Sequence, residues 1–341
     1  MTNEKLGVCI VGCGYMGEIH AGCWDKNPDV EIVGVVDIDE VRGGRMANQY
    51  RLNNFFSHYL DIFGRDEVDV VSVCIPTSYH ADVTIAAAEA RKHVLCEKPI
   101  ALSVEDADRM INATDKNRVK LGLGFMRRHT PVLTDLKRIL AEGKLGRPVL
   151  YNASDIREIR PKREMHDAKV NGGPVIDMAV HLIDLWTYIF NARPVSVSSQ
   201  GLKLAAGRPE IEHIDQVAVD TATVMVKFDS GDIGTFIVTW GLPPKVTPEG
   251  RPDQIFGAKG LGEVYYGRNK QELLMMEEGA RWRTASISHQ DMYQNQIDAF
   301  VRWILDGEPF PAAGEEGKSA LRVALGALES IRTGKTVFFT K

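Results

Sequence analysis

The sequence is poor in cysteine. It also contains no long run of like charges and no long run of apolar residues. Its five cysteines all lie between positions 9 and 96 of 341 residues, with no CxxC pair and no Cys/His cluster of zinc-ligand spacing. We therefore expect reduced, buried cysteines, and neither a disulfide nor a metal site.

Charge and hydropathy exclude further classes of protein. With 41 basic and 46 acidic residues, the formal net charge is −5, and neither sign is concentrated in a block. This balance argues against nucleic acid or an anionic membrane surface as a partner. The first apolar run, residues 6–14, is too short and too rich in glycine for a signal-peptide core or a membrane span. We expect a cytoplasmic protein that does not associate with membranes.

The chain is long enough for two domains, and its patterning changes near residue 125. A length of 341 residues exceeds one ordinary core, since domains usually hold about 100–200 residues. Up to residue 125, short apolar runs alternate with helical stretches, which is typical of a parallel sheet covered on both faces. The predicted strands are residues 6–11, 32–36, 68–75, 93–96 and 119–125, and the predicted helices are residues 15–26, 41–50, 79–90 and 103–117.

Beyond about residue 130 the predicted strands are longer. Residues 217–228 and 233–240 are joined by Asp229-Ser230-Gly231-Asp232 and predict an antiparallel hairpin. The other predicted elements are strands at 149–157, 195–204 and 254–258, helices at 175–190, 292–305 and 315–332, and a loop at 241–252. We predict an α/β domain over residues 1–125 and an α+β domain over residues 126–341. The second sheet is mostly antiparallel, and the last helix can pack back on the N-terminal domain.

A glycine pattern, Gly12-Cys13-Gly14-Tyr15-Met16-Gly17, follows the first predicted strand. The pyrophosphate of a dinucleotide binds backbone N–H groups at a helix N-terminus, and side chains would hold it away. Gly12 and Gly14 remove that obstacle, while Gly17 lets the helix pack closely on the strand. Because the pattern stands between a strand and a helix, it predicts a dinucleotide site rather than an incidental turn.

Asp37 ends the second predicted strand, twenty residues after Gly17. A carboxylate at this place accepts hydrogen bonds from both ribose hydroxyls and repels a 2′-phosphate, so NAD is favoured over NADP. Arg42 weakens that preference if its side chain lies beside Asp37. The alternative is that Arg42 is a solvated charge on a helix surface.

Two further segments supply candidate catalytic groups. Lys98, in Cys96-Glu97-Lys98-Pro99, follows the fourth predicted strand at the carboxyl edge, where sheets of this kind bind ligands. Asp177 and His181 stand four residues apart in the predicted helix 175–190 and would share one face among apolar residues. The structural alternatives are an exposed loop lysine and a buried His–Asp hydrogen bond.

Together these segments resemble the glucose-fructose oxidoreductase / inositol dehydrogenase (Gfo/Idh/MocA) family over essentially the whole chain. The matching segments, in the family's order and spacing, are residues 12–17, 75–80, 96–99, 124–128 and 172–181. The chain departs from the usual pattern at Thr77-Ser78, where an Asn is frequent, and at Gly172-Gly173-Pro174, which replaces a triple glycine. Neither departure removes a candidate catalytic group.

The resemblance implies a Rossmann domain followed by a domain with a large open-faced sheet. It implies that Lys98, Asp177 and His181 are the catalytic residues. The predicted cofactor contacts are Gly12, Gly14, Tyr15, Met16, Gly17, Asp37, Ile38, Pro76, Thr77, His80, Glu97 and Lys98. The predicted substrate contacts are Lys98, Arg127, Asp155, Arg157, His166, Asp177 and His181, of which Arg127 and His166 could equally be structural.

The family commonly oxidises a secondary hydroxyl of a sugar or cyclitol. Here His181 would take the hydroxyl proton as a hydride leaves the same carbon for the nicotinamide. Lys98 would stabilise the charge on the oxygen, and Asp177 would orient Lys98 or His181. Inositol is the first substrate that we expect, because residues 124–128 resemble inositol dehydrogenases.

Two alternative functions use the same fold. One is an NAD-dependent glycosidase that works by transient oxidation, elimination and reduction, and the other is a non-enzymatic NAD-binding sensor. The presence of Lys98, Asp177 and His181 together argues against the sensor. An exposed sheet face also favours a homo-oligomer, either a dimer or a tetramer.

Overall fold

The computed structural model describes residues 5–53, 55–248 and 250–340. The outermost residues of the two predicted domains and one residue of the predicted loop 241–252 lie outside this description. Its contacts divide the chain into two units, Met1–Met126 with Met292–Lys318 and Arg127–Asp291 with Ser319–Lys341. Residues 292–318 thus belong to the first unit, whereas the sequence-based ranges assign them to the second domain. Within the described ranges, no helix is long and apolar enough to cross a membrane.

The first unit is built on a parallel five-stranded sheet in the order β2-β1-β3-β4-β5. Its strands are β1 (Leu6–Val11), β2 (Val30–Val36), β3 (Val70–Val73), β4 (His93–Cys96) and β5 (Leu121–Leu123). Its helices include α1 (Tyr15–Trp24), α2 (Glu40–Gln49), α3 (Leu60–Phe63), α4 (His80–Glu89) and α5 (Val104–Asn117). Val8, Cys9 and Ile10 are fully buried, as expected for a central strand covered on both faces. The predicted α/β fold of this half is confirmed.

The second unit is built on a nine-stranded sheet in the order β13-β12-β11-β10-β6-β9-β8-β7-β14. Its strands are β6 (Leu150–Glu158), β7 (Pro194–Leu202), β8 (Thr221–Phe228), β9 (Ile233–Leu242), β10 (Asp253–Gly257), β11 (Gly260–Tyr266), β12 (Gln271–Glu277), β13 (Arg283–Ser288) and β14 (Val337–Phe338). The predicted hairpin is confirmed as β8–β9, and all neighbouring strands are antiparallel except β6 and β9, which are parallel.

Three helices of this unit precede or follow β6: α6 (Pro131–Ala141), α7 (Gly173–Asp177) and α8 (Ala179–Phe190). The predicted helix over 175–190 corresponds to two helices that meet at Met178, whose backbone stays in the right-handed helical region, with φ −98° and ψ −37°. The His181 N–H donates to the Met178 carbonyl three residues back, so the turn is tightened there. Asp177 and His181 therefore lie on two consecutive helices, on either side of this junction.

One face of the nine-stranded sheet is covered, and the other is largely open. In β8 the side chains alternate strictly, with Val224 and Val226 buried and Met225 exposed. A Cβ at Gly234 of β9 would lie 2.3 Å from the Trp186 ring of α8, so glycine is required where the helix meets the sheet. The covered face forms the core of this unit.

The last two long helices are α9 (Met292–Leu305) and α10 (Gly314–Thr333). Phe300 of α9 packs edge-on against Trp24 of α1, with ring centroids 6.3 Å apart. A Cβ at Gly122 of β5 would lie 2.7 Å from the Phe300 ring, and the Leu123 N–H donates to the Ala312 carbonyl at 2.8 Å. These contacts explain why residues 292–318 belong to the first unit.

Candidate functional site

The glycine turn of the first unit has the geometry that a dinucleotide requires. Gly12 has φ +96°, and a Cβ on it would lie 2.5 Å from the Cys74 carbonyl oxygen. A Cβ on Gly17 would lie 1.8 Å from the Gly12 carbonyl oxygen. Helix α1 begins at Tyr15 after Gly14, and no side chain caps it. The first N–H groups of the helix thus have no capping side chain, an arrangement suited to a pyrophosphate.

Asp37, directly after β2, joins the turn to helix α2. Its carboxylate accepts hydrogen bonds from the Cys13 N–H and the Asp39 N–H, both at 2.8 Å. Arg42 donates to both oxygens, from Nη2 to Oδ1 at 3.0 Å and from Nε to Oδ2 at 3.3 Å. Burial opposes ionisation, but the bonds from Arg42, Asp39 and Cys13 outweigh it and lower the pKa of Asp37. Arg42 is therefore not merely a solvated helix charge.

Apolar side chains are exposed around this turn. Ile38, next to Asp37, is 87% exposed, and Tyr15 is 61% exposed. Exposed apolar side chains beside a polar turn are typical of a ligand-binding surface. The predicted contacts of Tyr15, Asp37 and Ile38 with the cofactor stay predictions.

The segment that precedes Lys98 is held by a buried ion pair. Glu97 accepts from the Lys98 N–H at 3.2 Å, and its Oε1 lies 3.0 Å from His20 Nε2. The other ring nitrogen of His20 lies 2.9 Å from the Ser72 hydroxyl. Burial alone would lower the pKa of His20, but the bonds and charges of Cys74 and Glu97 raise it to about 10. His20 is therefore the cation that compensates the buried Glu97 carboxylate.

Gly124 and His80 complete the setting of this segment. A Cβ on Gly124 would lie 2.6 Å from Glu97 Oε1, so the glycine makes room for the carboxylate. The ring nitrogens of His80 lie 2.8 Å from the Pro99 carbonyl oxygen and 2.9 Å from the Ile75 carbonyl oxygen. Burial lowers the pKa of His80. Its ring links the loop after β3 to Pro99, and the predicted contact of His80 with the cofactor stays a prediction.

In the second unit, Asp177 ends α7 and His181 lies in the first turn of α8. Both side chains are buried, with 7% and 5% exposed. The Asn171 side-chain amide donates to Asp177 Oδ1 at 3.1 Å. Both residues are polar groups among the buried apolar residues of α7 and α8.

A buried ion pair attaches α8 to the turn that precedes α6. Arg128 donates from Nε to both oxygens of Asp184, at 3.0 and 2.9 Å, and from Nη2 to Oδ1 at 2.7 Å. The side chains are only 8% and 1% exposed. Sequence reasoning did not identify this pair. The available signal was Asp184 in an otherwise apolar predicted helix. A buried carboxylate needs a charged partner, and an arginine is a suitable one.

Arg127 directly precedes the buried Arg128 in the chain. The Arg127 guanidinium carbon lies 4.8 Å from the centroid of the Tyr266 ring of β11. Its Nη1 is buried and finds no hydrogen-bond partner among the described residues. A buried charged donor without a protein partner is suited to a ligand oxygen.

Asp155 and Arg157 lie on the covered face of β6, as the alternation of the strand predicts. The Arg157 Nε donates to Asp155 Oδ1, whereas Asp155 Oδ2 is buried and, in the described part of the chain, has no partner. Arg157 keeps 42% of its side chain exposed. Asp155 thus offers one acceptor to a ligand.

His166 is used on one side only. Its Nε2 accepts from the Arg160 N–H at 2.9 Å, so the proton of the neutral ring is on Nδ1. Nδ1 is buried and has no hydrogen-bond partner within the described ranges. Burial lowers the pKa of His166, which keeps the ring neutral. The side chain is therefore structural through one nitrogen and available to a ligand through the other.

Comparisons with known proteins agree with this geometry. Residues 6–125 match the oxidoreductase family with an NAD-binding Rossmann fold, and residues 133–261 match the GFO/IDH/MocA C-terminal domain. The chain belongs to the GFO/IDH/MocA family and is an oxidoreductase. Among the described residues, no group of three or more His, Cys, Asp or Glu side chains could hold a metal ion.

Similar proteins cover the whole chain. Myo-inositol 2-dehydrogenase of Thermotoga maritima is 29% identical and covers 97% of this chain and 98% of its own length. The scyllo-inositol 2-dehydrogenase (NAD(+)) of Bacillus subtilis is 26% identical, with 98% and 96% covered. A levoglucosan dehydrogenase solved with NADH and levoglucosan has the same fold, with a TM-score of 0.87 at 20% identity over 99% of this chain and all of its own.

We predict that Asp184→Asn, which removes the charge but keeps the size, lowers the free energy of unfolding by about 3–5 kcal/mol, because it breaks the buried ion pair with the Arg128 guanidinium. Urea denaturation would measure the loss. Glu329→Gln, which neutralises the exposed pair of Glu329 with Arg332 on α10, is the control and should leave the midpoint unchanged. Equal midpoints for the two variants would contradict a stabilising role for the buried pair.

Proposed function

We propose that this protein oxidises a secondary hydroxyl of a cyclitol or sugar to a ketone, with NAD as the hydride acceptor. The observation that supports this most directly is the set of unpartnered, buried polar atoms on Arg127, Asp155 and His166 in the described part of the second unit. Two donors and one acceptor suit a polyol better than an apolar alcohol. Inositol is the first substrate to test, because inositol 2-dehydrogenases are among the full-length relatives.

Three residues perform the chemistry in this proposal. His181 accepts the proton of the substrate hydroxyl, and Lys98 donates a hydrogen bond to the same oxygen as negative charge develops. Asp177, held by Asn171 at 3.1 Å, orients His181 and stabilises the imidazolium that forms. Bound NAD supplies the acceptor for the hydride that leaves the carbinol carbon. The support for these roles is the family resemblance and the burial of Asp177 and His181 among apolar residues.

NAD rather than NADP is the proposed cofactor. The Asp37 carboxylate is ionised and lies at the end of β2, where a ribose 2′-hydroxyl can donate to it and a 2′-phosphate would be repelled. The paired Arg42 weakens this repulsion, since its side chain remains 45% exposed and can turn towards a phosphate. We therefore propose a preference for NAD without complete exclusion of NADP.

We also propose that the protein assembles into a dimer or tetramer through the open face of its nine-stranded sheet. That face exposes Met225, Ile237 and Phe256, of which 47%, 45% and 38% respectively are accessible. Leu150, 38% exposed, pairs directly with Phe256. Apolar side chains on a wide sheet face favour burial against a second copy.

The cofactor preference gives a binding prediction. Asp37→Ala should weaken NADH binding about tenfold or more, because charge-assisted bonds to the ribose are lost, and should narrow the gap between NADH and NADPH. Fluorescence titration of the two nucleotides measures both effects. Glu31→Ala, on the exposed side of the same strand, is the control and should change neither affinity. An unchanged ratio of the two affinities would remove Asp37 from this role.

The proposed reaction is tested by NADH absorbance with NAD, or NADP, and a panel of inositol isomers, aldoses and anhydrosugars. We expect NADH to accumulate in proportion to product with one group of substrates. His181→Ala should lower kcat about 10²–10⁴-fold, because it removes the general base, while NADH affinity and folding are retained. His289→Ala, at an exposed position, is the matched control.

Near-normal turnover by the His181→Ala variant would reject the proposed base. Sugar release without net NADH would instead indicate the NAD-dependent glycosidase. Tight nucleotide binding without turnover of any polyol would indicate the sensor.

The assembly is tested by light scattering coupled to size-exclusion chromatography. We expect the wild type to exceed the 37.8 kDa mass of one chain and Ile237→Lys to shift towards that mass, because a charge would be buried at the interface. Leu305→Lys, which adds the same charge at an exposed leucine of α9, should leave the mass unchanged. A wild type of 37.8 kDa would contradict the proposed assembly.

A further inference from the structure

Two tyrosines and one carboxylate form a buried cluster in the second unit. Asp253, the first residue of β10, is only 5% exposed and accepts a hydrogen bond from the Tyr151 hydroxyl of β6 at 2.9 Å. It also accepts one from the Tyr266 hydroxyl of β11. We call Asp253, Tyr151 and Tyr266 the tyrosine–aspartate cluster. The sequence alone indicates no functional role for any of these three residues.

The cluster is in contact with Arg127. The guanidinium carbon of Arg127 lies 4.8 Å from the centroid of the same Tyr266 ring whose hydroxyl bonds Asp253. Burial tends to lower the pKa of Arg127, but the charges of Tyr266, Asp253, Tyr151 and Asp155 raise it overall. One ring therefore connects the buried guanidinium with the buried carboxyl group, whose negative charge partly compensates the positive charge of Arg127.

A purely structural role does not explain this arrangement. Buried charged groups can usually be replaced by apolar residues of similar volume without loss of stability, so the cluster is not needed for core packing alone. Its effect on Arg127 is specific. One face of the guanidinium is fixed against the Tyr266 ring, while Nη1 remains buried and without a hydrogen-bond partner among the described residues.

We propose that the tyrosine–aspartate cluster is a positioning device for Arg127: it fixes the guanidinium so that Nη1 is directed at a hydroxyl oxygen of the substrate. The nearby Asp155 Oδ2 is likewise buried and lacks a partner in the described part of the chain. A fixed donor and a fixed acceptor select a polyol by the placement of its hydroxyls. The choice of a hydroxyl as the ligand rests on the proposed function, whereas the positioning of Arg127 does not.

The cluster also makes substrate affinity depend on pH. The charged and titratable groups that face Asp253 are Tyr266, Arg127, Tyr151 and Asp155. Burial is the dominant effect and raises the pKa of Asp253 to about 6, although Arg127 and both tyrosine bonds oppose it. Below about pH 6 the Asp253 carboxyl is protonated, Arg127 loses one of its two carboxylate neighbours, and substrate affinity falls.

The test compares Tyr266→Phe and Asp253→Asn with Tyr265→Phe. Tyr265 is the neighbour of Tyr266 on β11 and its hydroxyl bonds Glu263 instead, so its variant is the matched control. We expect the first two variants to raise the KM for the polyol about tenfold, because the orientation of Arg127 is lost, while kcat and NADH affinity stay within about twofold. The rise of KM below about pH 6 should be present in the wild type and absent from Asp253→Asn.

A second measurement does not depend on turnover. Modification of Arg127 by phenylglyoxal, followed by mass spectrometry of the peptide, should be several-fold faster in Tyr266→Phe and Asp253→Asn than in the wild type or Tyr265→Phe. If no polyol or sugar is turned over by the wild type but this acceleration is found, the positioning role stands and the proposed substrate class fails. If KM and the modification rate are unchanged in the folded variants, the positioning role is overturned. It is equally overturned if kcat and NADH affinity fall as strongly as KM rises, because the variants would then disrupt the whole site and not Arg127 alone.

Discussion

A charge buried in a protein must be paired, and both units of this protein use that constraint to fix residues beside the proposed chemistry. In the first unit, His20 compensates Glu97, and the Glu97 carboxylate in turn holds the backbone of Lys98. In the second unit, Arg128 binds Asp184 through three hydrogen bonds, one turn along the helix from His181. Glu97 is the sequence neighbour of Lys98, and Arg128 is the sequence neighbour of Arg127. The residues with proposed catalytic roles are therefore positioned by residues that do not react.

The nucleotide half depends on the opposite requirement, the absence of side chains. Gly12 and Gly17 leave no room for a Cβ, and Gly124 leaves none because the Glu97 carboxylate occupies the space. At these three positions glycine allows the helix, the turn and the Glu97 carboxylate to pack more closely than any residue with a side chain would permit. Asp37 accepts a hydrogen bond from the Cys13 N–H of this turn, and recognition of a ribose by the same carboxylate is part of the proposed function.

The sequence predicted the first unit more fully than the second. Strands β1 and β4 have the predicted bounds, because short apolar runs bounded by glycine and helical stretches are distinctive in a parallel sheet. Strand β12 was missed because Leu273-Leu274 and Met275-Met276 hide its alternation, and β13 because it is a mostly polar edge strand. The pairing of Arg128 with Asp184 joins residues 56 positions apart and is a tertiary contact that no local pattern contains. The catalytic and binding roles of the predicted site residues remain predictions.

The first unit is assembled from two separate stretches of chain, and this sets the order in which it can mature during synthesis. The ribosome releases residues 127–291 before residues 292–318, which supply Phe300 and the Ala312 carbonyl to the first sheet. Until then, Trp24 of α1 and Gly122 of β5 are not covered by Phe300. A nascent chain of 126 residues therefore exposes an apolar surface that favours aggregation. A gene fragment cut at the end of the nucleotide-binding sequence would encode an incomplete core, and this domain cannot be exchanged between proteins as one contiguous cassette.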